Sequence, residues 1–299
     1  MKINHVEIVD TFAEAFPMVG CRLIVTAVDT HWVNVAAQVV TGYATSVIGC
    51  DSEAGIESLL PATETPDGRP GVALLFFAFS REKLEQAVVN RVGQCILTCP
   101  TTACYDGLPK GEKQIRVGGN LRYFGDGFQQ SKFFDDRRYW RIPTMDGEFV
   151  VEDFFTTQRG VAGGNFLILG ESQSAALSAA QSAVTAIQQI EGVITPFPGG
   201  IVRSGSKVGS KYPRLKASVN EEYCPILRTP GKTALPPNVH AVYEIVLDAI
   251  DQQCMEQAMQ AGIHAACQPG IVQISAGNYG GNLGPIHLKL WDILSRTDI

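Results

Sequence analysis

One ordering of segments occurs four times along the chain: an apolar run of strand length, a helix with a mixed face, and a second short apolar run. The first copy reads "RLIVTAVD", "THWVNVAAQVVTGYA" and "TSVIGCD"; the second reads "GVALLFFAFS", "REKLEQAVVNRVGQ" and "CILTCP". The third reads "NFLILGES", "QSAALSAAQSAVTAIQQIEG" and "VITPF", and the fourth "AVYEIVLDAI", "DQQCMEQAMQAGIHAACQPG" and "IVQISAG". The period changes from strand to helix within each copy. Ser80 and Asp251 can cap the helices that follow them, and the glycines in "IEGV" and "PGIV" fall where a helix exit needs a left-handed residue. Two such copies make one split β-α-β pair. The expectation is therefore an α+β protein of two lobes, each a ferredoxin-like duplication of split β-α-β units. The lobes divide near Gly147, as residues 1–148 and 149–299. Sheets with helices on one face leave the other face to be covered by the lobes or by subunits.

Composition narrows the function classes. The 299 residues carry 24 basic and 30 acidic side chains, a net charge of -6, which argues against a general nucleic-acid binder. No apolar run approaches the roughly 20 residues of a membrane-spanning helix, and "MKINHVEIVD" has acids where a signal peptide needs an apolar core. A cytoplasmic location is the expectation. The eight cysteines form no Cys-x-x-Cys pair, and "HAAC" has no second ligand pair at zinc-site spacing. A disulfide framework and a metal site are both disfavoured.

Against this acidic background stands "VITPFPGGIVRSGSKVGSKYPRLK", with five basic residues and no acid. Its glycine spacing suggests a phosphate loop, but Ser206 stands where the lysine belongs and Lys207 is displaced by one. The "GESQS" turn ends in Ser174 where a nucleophile elbow has glycine, so Ser172 and Ser174 read as helix caps. What the loop retains is an anion site. Gly199 and Gly200 let backbone N–H groups approach a ligand, and Arg203, Lys207 and Lys211 supply charge. The other reading is a solvated basic loop that pairs with acids of another subunit.

Glu244 shares one face of its strand with Val242 and Val246. Between two valines it would be partly desolvated and its pKa raised toward the range useful for proton transfer, unless that face is solvated. Asn165 in "AGGNF" and Asn278 in "SAGNYGGNL" lie beside the third and fourth copies, where their amides could orient a polar substrate or simply make turns.

Taken together, "DTFAEAF", "ETPDGRPG", "RVGQCILTCPTTA", "GVAGGNF", "VITPFPGGIVRSGSKVGSKY", "AVYEIVLDAI" and "ISAGNYGGNLG" resemble the formylmethanofuran–tetrahydromethanopterin formyltransferases, in the same order from residue 3 to about residue 284. The resemblance implies an acyltransferase that moves a formyl group between the methanofuran amine and N5 of tetrahydromethanopterin. It implies no cofactor, since both carriers act as cosubstrates, and a homotetramer. It assigns proton handling to Glu244 and binding of the anionic carrier tails to Lys207, Lys211 and Arg203, with Arg69 and Asn278 as further candidates. Arg203 stands where a small residue is usual, and "VIGCDSEAG" lacks the usual methionine and proline. Both resemble the branch found in methylotrophic bacteria, where the protein is one member of a formyltransferase/hydrolase complex. The alternatives are a non-catalytic carrier-binding subunit of such a complex and a hydrolase; the latter needs an activated water that no motif supplies.

Overall fold

The structure is a computed structural model that describes residues 1–108, 110–111, 113–229 and 233–296. It divides into two compact units, one of Met1–Pro17 with Val161–Ile299 and the other of Met18–Gly160. These differ from the expected halves: residues 1–17 pack with the C-terminal part of the chain, and residues 149–160 pack with the N-terminal part.

The chain opens with β1 (Lys2–Ile3), β2 (Val6–Ile8) and β3 (Phe12–Thr26). The Met18–Gly160 unit continues through α1 (Thr30–Thr41), β4 (Glu53–Leu60), β5 (Gly71–Ala78), α2 (Arg81–Arg91) and β6 (Ala103–Asp106). It then adds β7 (Lys113–Ile115), a short α3 (Gly118–Leu121), β8 (Gln130–Phe134), β9 (Arg137–Thr144) and β10 (Gly147–Glu152). β3 pairs antiparallel with both β5 and β6, and β5 with β4, so the first four strands run β4-β5-β3-β6. That is the split β-α-β order. β10 joins β6 in parallel and carries β9 and β8 outward as an antiparallel arm.

Two expected strands are placed elsewhere. "TSVIGCD" forms turns and the strand is Glu53–Leu60; "CILTCP" continues the helix through a π-turn and the strand is Ala103–Asp106. The true strands bury polar groups. Glu57 takes a two-pronged ion pair from Arg22, both contacts 2.6 Å, so β4 does not read as an apolar run. The core of this unit lies between the sheet and the two helices, around Leu23, Leu74, Phe76, Leu84 and Val88. Each such side chain contributes about 1.5–3 kcal/mol by leaving water.

The other unit comprises the second part of β11 (Phe155–Gly170), from Val161 on, then α4 (Gln173–Ile187), β12 (Val193–Ile194), β13 (Lys207–Val208), β14 (Ala217–Ser218), β15 (Ala241–Ala249), α5 (Gln252–Ala266) and β16 (Ile271–Ser275). It closes with β17 (Ile286–Lys289) and α6 (Leu290–Leu294). β15 lies between β11 and β12, and β16 lies on the other side of β11, which repeats the order of the first four-stranded set. Ser172 and Asp251 cap α4 and α5 through the N–H groups of Ala175 and Cys254, each cap worth about 1 kcal/mol. The alanines of α4 let α5 come close: a Cβ on Gly262 would meet Ile187 Cδ1 at 2.8 Å. Among the described residues no helix is long and apolar enough to cross a membrane.

Alternation along β15 divides its side chains between the two sheet faces. Ile245 and Leu247 enter the core under α4 and α5. Val242, on Glu244's face, packs instead with Leu167, Leu169, Leu235, Val239 and Tyr223. The second face is therefore partly covered by Tyr223, Leu235 and Val239 from the chain's own connection ahead of β15, and Val242, Glu244 and Val246 are half-buried there.

Candidate active site

Glu244 is fixed by its backbone on both sides. Across one edge it pairs with Leu167 of β11. Across the other it forms a bridge with Val202, donating to the Val202 carbonyl at 3.1 Å and accepting from its N–H at 2.8 Å. The basic loop thus leaves the sheet at Glu244, and Arg203 is its next residue. A cleft of about 70 Å³ opens there, lined by Asn165, Leu167, Val202–Ser206, Asn220, Tyr223, Cys224, Val242, Glu244 and Gly277–Tyr279. A water needs roughly 10–15 Å³ by this measure, so the space takes a few heavy atoms and not a long carrier.

Burial pushes the Glu244 carboxyl up to about 7. Among the described residues no donor is bonded to its side-chain oxygens, so nothing offsets the desolvation. Tyr279 is raised as well, by burial first and then by the charge of Glu244. Its hydroxyl donates to the Ser206 carbonyl at 3.0 Å, joining the 277–284 loop to the basic loop beside the cleft. A carboxyl that changes protonation near neutral pH, walled by short polar residues, can pass a proton between two bound groups.

Arg203, Asn165 and Asn278 line the same cleft as Glu244. Arg203 is exposed. Asn165 donates to Gly163 and Gly277 carbonyls at 3.2 Å and accepts from the Gly277 N–H at 2.6 Å, so its amide pins the turn. Asn278 donates to Thr11 Oγ1 and the Phe12 carbonyl and accepts from the Gly280 N–H.

The remaining candidates lie outside the lining. Lys207 forms an ion pair with Glu221 of the same chain, which holds the Glu221 carboxyl below its usual range. Lys211 is exposed beyond it on the connection between β13 and β14. Gly199 and Gly200 adopt left-handed φ of +61° and +77°, and a Cβ on Gly200 would meet Thr195 Oγ1 at 2.6 Å. They shape the turn ahead of the loop. Arg69 belongs to the Met18–Gly160 unit, where it binds Asp67, Thr26 Oγ1 and the Thr101 carbonyl. Among the described residues no group of three or more His, Cys, Asp or Glu side chains is placed to hold a metal ion.

Sequence reasoning did not single out Tyr279, Tyr223, Ser206 or Glu14. Tyr279 stands inside the quoted "GNYGGN", next to a chosen residue. Ser206 likewise stands inside the basic loop, beside Lys207, whereas Tyr223 and Glu14 come to the neighbourhood of the cleft only through contacts distant in sequence.

These features define a two-unit α+β protein with a desolvated carboxyl at a strand-edge cleft. A family profile described as formylmethanofuran-tetrahydromethanopterin formyltransferase matches residues 1–144, and one described as the proximal lobe of the same family matches residues 147–293. The formylmethanofuran–tetrahydromethanopterin formyltransferase of Methylobacillus flagellatus is 54% identical over 302 residues, covering 99% of this chain and 100% of that one. One component of the formyltransferase/hydrolase complex of Methylorubrum extorquens is 50% identical, covering 98% of this chain and 97% of that one. Among solved structures, the Methanosarcina barkeri formyltransferase superposes with a TM-score of 0.93 at 50% identity, over 98% of this chain and 100% of that one. The Methylorubrum extorquens formyltransferase/hydrolase complex, solved with methylofuran, gives 0.96 at 49% identity over 99% of each chain. The chain belongs to the formylmethanofuran–tetrahydromethanopterin formyltransferase family.

Proposed function

We propose that formyl transfer between methanofuran and N5 of tetrahydromethanopterin takes place at the Glu244 cleft, by direct attack of one amine on the formamide of the other. The chain is an acyltransferase of this family. In the direction toward the pterin, N5 attacks the formyl carbon and a C–N bond forms. The carbonyl electrons move onto oxygen, and the tetrahedral species collapses as the bond to the methanofuran amine breaks. The proton leaving N5 must reach that amine, and Glu244 is the group suited to carry it. The observation that carries this reading is a desolvated carboxyl, with a pKa near 7, on the cleft wall. A proton carrier works best when its pKa matches the working pH. The protein's other contribution is alignment of the two amines.

The carriers are long and anionic, and the cleft admits only their reacting ends. Exposed Arg203 at its rim is the side chain best placed to receive a tail carboxylate. The reaction needs no cofactor beyond the two carriers. The exposed aromatics of the β8–β9 arm and the turn before it, Phe124, Phe128, Phe133 and Phe134, offer an apolar surface for assembly into a homotetramer. The near full-length match to one member of a complex favours a second context, in which the same transfer feeds a hydrolase partner in the cytoplasm.

The test uses purified protein, both carriers and no added metal or nucleotide. Glu244→Gln should keep fold and carrier binding and lose turnover by about 10²–10⁴-fold. Wild-type turnover in that variant would remove Glu244 from the reaction.

A further inference from the structure

Glu14 lies on β3, directly across from His287 of β17, and is buried in the unit that holds the cleft. Glu14 is not part of the cleft lining. Instead, a loop wraps around it. Oε1 accepts from the N–H groups of Tyr279 and Gly281, both at 2.6 Å, and Oε2 accepts from those of Leu283 and Gly284, both at 2.8 Å. Gly280 and Gly281 take φ of +71° and +77°, which turns successive amides inward onto one point. Only an ionised carboxylate offers acceptors enough for four donors and no hydrogen of its own. Burial works to raise the Glu14 pKa, and the four amides outweigh it, leaving the group below its ordinary value.

The wrapped loop is the one that walls the cleft. Tyr279 is both the first residue held by Glu14 and the residue whose hydroxyl reaches the Ser206 carbonyl. The chain of contacts therefore runs from Glu14 through the Tyr279 backbone and ring to the segment that leaves the sheet beside Glu244. We propose that Glu14 is a positioning residue for the transfer site: it fixes the Tyr279–Gly284 turn so that Tyr279 keeps the Arg203–Ser206 segment closed over Glu244. This rests on the reading of the Glu244 cleft given above.

The titratable and charged groups that face Glu244 are Arg203 on the basic loop, Tyr223 and Cys224 on the covering segment, and Tyr279 on the wrapped loop. Loosening the Tyr279 clasp admits water to the carboxyl and lowers its pKa whichever proton state starts the reaction. The limb of the pH–rate profile that belongs to Glu244 then moves to lower pH.

The experiment measures kcat and kcat/KM against pH, with both carriers, for the wild type and for Glu14→Gln, Tyr279→Phe and Glu244→Gln, and reads the free protein's limb near 7 from kcat/KM. Glu14→Gln sets an NH2 group against two of the four donors, and kcat should fall about 10- to 100-fold as the site loses alignment. Tyr279→Phe keeps all four contacts to Glu14 and removes only the clasp, so it decides the matter where Glu14→Gln does not fold. In both variants the limb near 7 should shift acidward; a purely structural role for Glu14 would lower the melting temperature and leave the limb in place. An unshifted limb in Tyr279→Phe overturns the proposal, as does an unshifted limb in folded Glu14→Gln. If Glu244→Gln is inactive while those limbs stay put, only the Glu14 role fails. If Glu244→Gln turns over normally, the site reading fails and takes this one with it.

Discussion

Glu152 of the Met18–Gly160 unit and Glu244 of the other unit are both desolvated glutamates pushed up to about 7, chiefly by burial. Their surroundings differ. Glu152 Oε2 accepts from the Asp106 N–H at 3.0 Å, Arg137 approaches at 3.3 Å, and Asp106 is itself held by Thr156. Glu244 lies on a cleft wall and has no donor on its carboxyl among the described residues. A raised pKa by itself reports desolvation. The cleft and the missing partners are what separate a carboxyl available to a ligand from one built into the fold. Glu14 completes the comparison: buried as well, but given four amides, it is driven the other way.

The comparison breaks most sharply at Glu244→Gln, where kcat should fall by about 10²–10⁴-fold while Glu152→Gln stays within about twofold of wild type. A comparable loss in both would erase the distinction. At the cleft rim, Arg203→Ala should raise KM for the more anionic carrier about 5- to 10-fold with kcat little changed, the effect of one charged contact. Lys207→Ala should raise it about threefold or less, because Lys207 already pairs with Glu221 at a half-exposed site. A larger effect at Lys207 than at Arg203 would redraw the binding surface.

Glu152 should show itself in stability instead. Its folded pKa of about 7 lies above its ordinary 4.5, so its contribution is whole below pH 4.5 and is lost as pH rises through 7. Urea unfolding at pH 5 and pH 8 should show wild type losing on the order of 2 kcal/mol relative to Glu152→Gln. Equal pH dependence in the two proteins would show that the group ionises normally.

How much of this could be read from residue order depends on the range of the interactions. The long helices and their caps follow from local periodicity and from Ser80, Ser172 and Asp251. The edge strands do not, because β4 buries Glu53 and Glu57 and so lacks an apolar pattern, whereas Cys95 and Cys99 gave a helix end the look of a strand. Glu244 was legible because parity put it between two valines. Whether that face was wet depended on Tyr223, Leu235 and Val239 folding over it, a contact no local pattern encodes. Arg69, a carrier-binding candidate only through the family resemblance, engages Asp67, Thr26 and Thr101 inside its own unit, contacts that no local pattern announces. Glu14 lies some 265 residues from the amides it binds, and a lone acid in "DTFAEAF" carries no sign of them.

The central claim is that Glu244 holds its proton into the neutral range because its half-buried carboxyl is desolvated in the cleft and has no donor bonded to it among the described residues. Carbon-13 NMR titration of the glutamate side-chain carboxyls, in wild type, Glu244→Gln and Glu152→Gln, measures this directly. Two resonances should titrate near 7, one vanishing in each variant. A Glu244 resonance that titrates at the ordinary 4.5 would mean that the cleft is wet and that the carboxyl carries no proton at working pH.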